Sequence, residues 1–276
     1  MALAVGFVDE PLDPPANNFV EREAKRGSEG LVAVSTTLLA STPVGYRLDV
    51  RLNTVRRGSG DPIVFIHGMG TSASTWDAVM SQLADRHHVV AVDLLGHGSS
   101  PVPDDPDEYS RDATLDDLDV LLDELATESP DAAPAVLVGH SLGGYLALAH
   151  AATRPGAIRG IVVLNTGPGF RDPDKREGWN ERSRRNAHRF GVPVQAANLN
   201  LQHDSVVMDR LATMETPTLF LAGGDDRPEY ANAGGYLERK MLSARLVVLD
   251  GGGHSMHEDT HAVEVAGLVA EFTSTL

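Results

Sequence analysis

The amino-acid sequence predicts an α/β fold in which helices cover both faces of a mostly parallel, doubly wound sheet of about eight strands. The first observation is a series of short apolar runs, several of them continuous Val, Ile and Leu, as in parallel strands buried on both faces. The second is that helical patterns separate most of these runs, which implies crossover connections. A chain of 276 residues, 42% of them hydrophobic, can bury one large core of this kind.

The individual elements follow from the two periodicities. The apolar runs that predict strands span residues 31–39, 46–55, 63–66, 89–92, 135–138, 158–164, 218–221 and 246–249. The helical patterns, with apolar residues three and four positions apart, span residues 74–83, 114–125, 141–153, 229–241 and 260–272.

Two segments depart from this alternation. Residues 1–30 are rich in Pro, Asn, Glu, Arg and Gly without a clear period, which indicates an irregular N-terminal arm. Residues 167–214 are polar, rich in arginine and fit no strand pattern, which favours a short helical lid inserted over the sheet. The predicted α/β core therefore comprises residues 31–166 and 215–276.

Composition excludes several classes of protein. A formal net charge of −16 disfavours nucleic acid and anionic membranes as partners, because their phosphate groups are repelled. The lack of cysteine excludes a thiolate nucleophile and cysteine–metal sites. The apolar run at residues 2–8 has no basic flank, unlike a secretory signal, and no run reaches the length of a membrane span. We expect a cytoplasmic protein that acts on a small molecule, and the oligomeric state stays open.

The most informative motif is Gly-His-Ser-Leu-Gly at residues 139–143, which follows a predicted buried strand and opens a helical pattern. This order is typical of a nucleophile elbow, in which a serine on a strained strand-to-helix turn exposes its hydroxyl. Gly139 and Gly143 flank the turn, where a side chain would collide with neighbouring backbone. Ser141 is the candidate nucleophile, although a serine at this place can also be a simple helix N-cap.

A second glycine turn, His-Gly-Met-Gly at residues 67–70, follows another apolar run. Its backbone amides can form an oxyanion hole together with the first amide of the helix that follows Ser141. We expect the two donors to be the N–H groups of Met69 and Leu142.

A nucleophilic serine needs a histidine base and an acid that orients it. On such a sheet the expected chain order is serine, acid, histidine, each at the carboxyl end of a strand. Asp225 and Asp226 follow one late apolar run, and His254 follows the last one after three glycines. The residues leave the choice between the two adjacent aspartates open, and Asp250 is an outside candidate.

Four residues are candidates for the substrate pocket: His67, Gly68, His140 and Trp179. A histidine ahead of a glycine turn more often orients the loop than transfers protons, and we interpret His67 in this way. Trp179 can either pack within the lid or contact the substrate. The lid also carries an arginine cluster that can attract an acidic substrate or form a solvated helix face, at positions 182, 184, 185 and 189.

A rival motif, His-Glu-Asp-Thr-His at residues 257–261, matches a zinc-binding pattern that places two histidines on one face of a helix. The helical pattern begins only near residue 259 or 260, which leaves His257 outside it. We interpret the match as a coincidence and expect neither a metal nor a cofactor.

Together these motifs make the chain resemble the α/β-hydrolase superfamily from about residue 46 to its end. The resemblance rests on the His-Gly turn at 67–68, the Asp-x-x-Gly-His-Gly loop with its following serine at 93–99, the elbow at 139–143, the Gly-x-x-Asp turn at 223–226 and the Gly-His pair at 253–254. It implies a catalytic triad of Ser141, Asp226 and His254.

The resemblance also implies the reaction, which is hydrolysis of a small-molecule carboxylic ester, lactone or thioester through an acyl-enzyme on Ser141. Serine as nucleophile disfavours the haloalkane dehalogenase and epoxide hydrolase branches, which use aspartate at this position. Two alternatives stay open: a C–C bond hydrolase of ring-cleavage products, and a receptor or lyase built on the same fold.

Overall fold

The computed structural model describes residues 51–276, apart from the side chain of Ala231. Within them the sheet has seven strands in the order β1-β3-β2-β4-β5-β6-β7, with β1 antiparallel to β3 and all other neighbours parallel. The strands are β1 (Thr54–Arg57), β2 (Pro62–Ile66), β3 (His88–Val92), β4 (Val136–His140), β5 (Gly160–Leu164), β6 (Thr218–Gly223) and β7 (Ala244–Leu249). The predicted α/β sheet is confirmed. The arm at 1–30, the strand at 31–39 and most of the strand at 46–55 lie outside the described residues.

Seven α-helices connect and cover these strands in the described part of the chain. They are α1 (Asp77–Leu83), α2 (Arg111–Glu128), α3 (Leu142–Thr153), α4 (Pro173–Asn186), α5 (Val206–Arg210), α6 (Pro228–Lys240) and α7 (Ala262–Thr273). Helix α2 begins three residues before its predicted start, because the Ser110 hydroxyl caps it by accepting the Ala113 N–H at 3.2 Å. Among residues 51–276 no helix is both long and apolar enough to cross a bilayer.

The sheet divides the core into two apolar layers. Alternate residues of β2 enter opposite layers, with Val64 and Ile66 on one side and Ile63 and Phe65 on the other. Helices α2, α3 and α6 cover the first layer, and α1 and α7 cover the second. Burial on both faces explains why β2, β4 and β5 are continuous apolar runs.

The segment between β5 and β6 contains α4, α5 and short 3-10 turns, with no strand in it. It packs on the loops that follow β2 and β3. A Cβ atom on Gly70 would lie 2.6 Å from the Phe190 carbonyl oxygen, and one on Gly96 would lie 2.7 Å from the Ala196 Cβ. The segment predicted as a lid therefore contacts the carboxyl edge of the sheet, where the candidate site residues lie.

Candidate active site

Ser141 lies on a strained turn between β4 and α3. Its backbone has φ +50° and ψ −113°, a left-handed conformation that costs a non-glycine residue about 1–3 kcal/mol. The Ser141 N–H donates to the Leu164 carbonyl at 2.9 Å, and its own carbonyl accepts the Thr166 hydroxyl at 2.7 Å. These bonds tie the turn to β5 and to the residues after it, which keeps the serine in its strained conformation.

The glycines of the elbow permit close backbone approach, as the sequence indicates. A Cβ atom on Gly139 would collide with the Gly143 carbonyl, and one on Gly143 would collide with the Ile66 carbonyl. Gly68 lies against the nucleophile, since a Cβ atom there would be 3.4 Å from the Ser141 Cβ. The glycine turn after β2 and the elbow therefore form one tight corner around the serine.

His254 and Asp226 form a pair at the ends of β7 and β6. The His254 Nδ1 lies 2.8 Å from the Asp226 Oδ2, and the Asp226 side chain is only 2% exposed while His254 is 29% exposed. A carboxylate only accepts hydrogen bonds, so Nδ1 carries a proton, and in the neutral imidazole the lone pair is on Nε2. Asp225 and Asp250 are exposed to solvent, so among the three candidate acids Asp226 is the one whose carboxylate contacts the imidazole.

Tyr230 and Arg227 lie next to this pair, and we call these two residues the rim of the site. The Tyr230 ring lies 4.7 Å from the His254 ring, and the Arg227 guanidinium lies 4.9 Å from the centre of the Tyr230 ring. Burial raises the pKa of Tyr230, while the positive charges of Arg227 and Arg182 oppose the shift. In the described part of the chain neither arginine forms an ion pair with a carboxylate, and Arg227 is an unpaired cation next to the ring that contacts His254.

The turn at residues 67–70 and the first residue of α3 each have one of the two backbone donors predicted for the oxyanion hole. The Gly70 N–H donates to the His97 Nε2 at 3.1 Å and the Thr71 N–H to the Gly68 carbonyl. Within residues 51–276, by contrast, the N–H groups of Met69 and Leu142 have no hydrogen-bond acceptor on the protein. The two amides expected to form an oxyanion hole are thus free to bind a ligand atom.

His67 is buried and both its ring nitrogens are occupied. Its Nδ1 donates to the Gly68 carbonyl at 2.7 Å, and its Nε2 accepts the Leu94 N–H at 3.0 Å. Burial lowers the pKa of His67 to about 4. These contacts favour the interpretation of His67 as an orienting residue, because neither nitrogen is available to take a proton from a substrate or a serine.

The loop that follows β3 is organised around Asp93. Its carboxylate accepts the N–H groups of Ala73 at 2.7 Å and Ser99 at 2.8 Å. Burial would raise the pKa of Asp93, but these hydrogen bonds outweigh it and lower the pKa. Gly98 adopts φ +52°, and any side chain there would collide with the Asp93 carboxylate. The loop thus holds His97, the acceptor for the Gly70 amide.

His140 and His257 lie behind the site in the protein interior. The His140 Nε2 contacts the His254 carbonyl oxygen at 2.8 Å, so the ring is turned toward the His254 loop. The His257 ring packs between Trp76 at 4.3 Å and His140 at 4.4 Å, and both its nitrogens lack hydrogen-bond partners in residues 51–276. Burial lowers the pKa of His257 to about 3.

The zinc-binding pattern does not take the geometry it requires. Helix α7 begins at Ala262, so both histidines of the pattern precede it. His257 is buried against aromatic rings, whereas the His261 Nε2 contacts the Asp250 carbonyl at 3.0 Å. The two rings therefore do not share a helical face.

Trp179 packs within the segment between β5 and β6. Its indole N–H donates to the Asn200 carbonyl at 2.8 Å, and its ring lies 5.9 Å from the Phe170 ring. Packing within the lid is the alternative that these contacts favour, since the polar end of the indole is already occupied.

Asn165 is a residue of the site that the sequence analysis missed. It follows β5, is buried and has φ +47°. Its side chain bonds to the Gly223 N–H at the end of β6 and to the carbonyl of His254. A polar residue directly after a buried strand was the available signal, but its partners are distant in sequence.

The chain resembles known proteins in sequence and in structure. It is 38% identical over 120 residues to the 2-hydroxymuconate semialdehyde hydrolase of Pseudomonas sp. strain CF600, which covers 42% of this chain and 40% of that protein. It is 34% identical over 128 residues to the 2-(acetamidomethylene)succinate hydrolase of Mesorhizobium japonicum, covering 45% of this chain and 44% of that protein. These matches span less than half the length of the curated relatives.

Solved structures share the fold. A thermophilic esterase from Thermogutta terrifontis superposes with a TM-score of 0.68 at 23% identity, covering 81% of this chain and 93% of that one. The model of the alpha/beta hydrolase family matches residues 63–268, which is most of the chain and includes the elbow, Asp226 and His254. On this evidence the chain belongs to the alpha/beta hydrolase family.

Proposed function

We propose that this protein is a serine hydrolase that cleaves a small-molecule carboxylic ester, lactone or thioester through an acyl-enzyme on Ser141. The observation that carries the proposal is the 2.8 Å contact between the His254 Nδ1 and the buried carboxylate of Asp226. In the neutral imidazole this contact places the proton on Nδ1 and leaves Nε2 as the acceptor, as a general base for a serine requires. Ser141, on its strained turn, supplies the nucleophile.

In the proposed reaction, the His254 Nε2 takes the proton from the Ser141 hydroxyl while the oxygen attacks the substrate carbonyl carbon. Asp226 stabilises the imidazolium that forms. The N–H groups of Met69 and Leu142 bind the oxyanion, and the loss of one such donor typically costs about 3 kcal/mol. His254 then protonates the leaving group, and water releases the acyl group by the same steps.

Activity-based labelling tests the nucleophile without assuming a substrate. A fluorophosphonate should modify wild-type protein at Ser141, as mapped by peptide mass spectrometry, and p-nitrophenyl acetate and butyrate should be hydrolysed. Ser141→Ala should lose labelling and lower kcat by at least about 10⁴-fold. Ser81→Ala, at an exposed serine of α1 outside the site, is the matched control and should retain both. Labelling at another residue, or full activity of Ser141→Ala, would contradict the proposal.

Two arginines, Arg227 of the rim and Arg182 of α4, favour a substrate that carries a carboxylate near the scissile bond. Arg182 and Arg227 are exposed cations without carboxylate partners in the described residues. The positive charge of each lowers the pKa of Tyr230, whose ring contacts His254. The relative from Mesorhizobium japonicum is named as a hydrolase of a succinate derivative. In a chain with a net charge of −16, a local cationic rim would attract anionic substrates to the site.

A pair of matched esters tests this substrate class. We expect kcat/KM for p-nitrophenyl hydrogen succinate to fall about 10-fold in Arg227→Gln or Arg182→Gln, as for the loss of one charged hydrogen bond. The value for p-nitrophenyl butyrate should change less than 2-fold. Arg245→Gln is the control. Arg245 forms an ion pair with Glu271, at 3.2 Å, and both residues are outside the site. Equal effects on both esters would contradict a carboxylate-binding role for the rim.

A further inference from the structure

The carbonyl oxygen of His254 accepts two side-chain hydrogen bonds from elements distant in sequence. The Asn165 Nδ2 donates to it at 2.8 Å, and the His140 Nε2 donates to it at 2.8 Å. Asn165 Nδ2 also donates to the Gly253 carbonyl at 3.0 Å. The backbone that carries the imidazole is therefore held by the residues that follow β5 and end β4.

The other end of the Asn165 amide holds the loop of the acid. Its Oδ1 accepts the Gly223 N–H at 2.8 Å, three residues before Asp226. The partners fix the orientation of the amide, because an N–H needs an acceptor and two carbonyls need donors. One side chain, 2% exposed, thus connects the loops of Asp226 and His254.

His140 can act only as a neutral donor at this place. A carbonyl accepts but does not donate, so the His140 Nε2 carries a proton. Burial lowers the pKa of His140 well below its usual range, and the neighbouring His257 and His254 lower it further. The bond to the His254 carbonyl therefore persists through the neutral pH range.

The backbone of Asn165 indicates why this residue type is needed. Its φ of +47° lies in the left-handed region, which glycine adopts without strain and asparagine tolerates better than most residues. Glycine would satisfy the backbone but would leave the Gly223 N–H without its acceptor. The carbonyls of His254 and Gly253 would keep only the His140 Nε2 and the Met256 N–H as donors. The amide is what asparagine adds at this position.

From these contacts we propose that Asn165 is a positioning residue, which together with His140 holds the His254 loop in register with the Asp226 loop. This inference rests on the proposed role of His254 as base. Asn165 touches neither Asp226 nor the imidazole, so its effect is on the alignment of the pair.

Two variants of Asn165 test this role. Asn165→Gly keeps the left-handed backbone and removes the amide, whereas Asn165→Asp keeps the acceptor for the Gly223 N–H and removes the donors. We expect kcat for p-nitrophenyl butyrate to fall about 10–100-fold in both, as for other supporting residues of catalytic groups. KM should stay within about 3-fold, and the pH midpoint of kcat should move.

Asn180→Asp is the matched control, because Asn180 is also buried and its amide makes two 2.8 Å bonds to the backbone of Gln202 in the lid segment. It should lower the free energy of unfolding similarly without moving the pH midpoint. A conservative pair adds a second readout: His140→Gln, which retains an N–H donor, should preserve more of kcat than His140→Leu.

Two failures can be told apart. If wild-type protein is not labelled at Ser141 by the fluorophosphonate, the proposed function fails. If Ser141 is labelled and both folded Asn165 variants keep wild-type kcat and pH midpoint, the positioning role alone is overturned.

Discussion

Three buried histidines and one partly exposed histidine lie near the carboxyl edge of the sheet, and they differ in environment more than in position. His67, His140 and His257 are fully buried or nearly so, and burial lowers the pKa of each. His254 is partly exposed and contacts the carboxylate of Asp226. The His140 and His254 rings are only 4.8 Å apart.

The difference indicates that the position of a histidine at this edge does not by itself identify a general base. A buried imidazole without a carboxylate partner stays neutral and serves as a fixed donor or as packing. An imidazole with a carboxylate on one nitrogen and solvent access to the other can accept and return a proton. The following predictions test whether this distinction holds.

The largest effect is expected when His254 loses its carboxylate partner. Asp226→Asn should lower kcat for p-nitrophenyl butyrate about 10⁴-fold, because the amide no longer favours the protonated Nδ1 tautomer or the imidazolium. Asp225→Asn changes the exposed neighbouring acid and should stay within about 3-fold. Steady-state kinetics measure kcat for both variants, and similar losses of kcat in the two would contradict the assignment of Asp226.

A smaller effect is expected from acid on the buried set. The pKa of His67 is about 4 in the folded protein, against about 6.5 for an unfolded imidazole, so the unfolded state binds more protons between these values. The free energy of unfolding should therefore fall as pH drops from 7 to 4, by on the order of 3 kcal/mol for this residue. Urea denaturation across this pH range measures it, and equal stability at both ends would show that His67 is not buried and neutral.

The smallest effect is expected from removing the unpartnered imidazole of His257. His257→Phe should raise the free energy of unfolding at pH 7 by about 1 kcal/mol, since an apolar ring of similar shape leaves no buried nitrogen without a partner. It should also weaken the loss of stability in acid. His150→Phe is the contrasting variant: the His150 ring is buried but bonded to Asp119 at 2.8 Å, and its loss should destabilise. A destabilised His257→Phe would indicate that the ring has a partner.

Much of the fold and part of the site follow from local patterns. Strand β2 and the elbow are recognisable because apolar runs and glycines act on their immediate neighbours. The requirement for glycine at 139 and 143 is borne out by the collisions that any side chain would cause there. The Asp226–His254 contact agrees with the resemblance, which favoured Asp226 over Asp225.

The parts of the site that could not be predicted from the sequence depend on contacts across the sheet. Asn165 bonds to residues 58 and 89 positions away, and no local pattern encodes those partners. The same holds for His140, a predicted pocket residue whose ring instead bonds to the backbone of His254. The zinc-like pattern is interpreted as a coincidence from the sequence, and α7 does begin after both of its histidines, but the packing of His257 against Trp76 is a contact that no local pattern encodes.

The contacts of the segment between β5 and β6 with Gly70 and Gly96 have a consequence for engineering. The Phe190 backbone and the Ala196 methyl lie so close to these glycines that neither can carry a side chain, and both have positive φ. A segment from another hydrolase that replaced residues 167–214 would pack in the same way only if it placed equally small groups against Gly70 and Gly96.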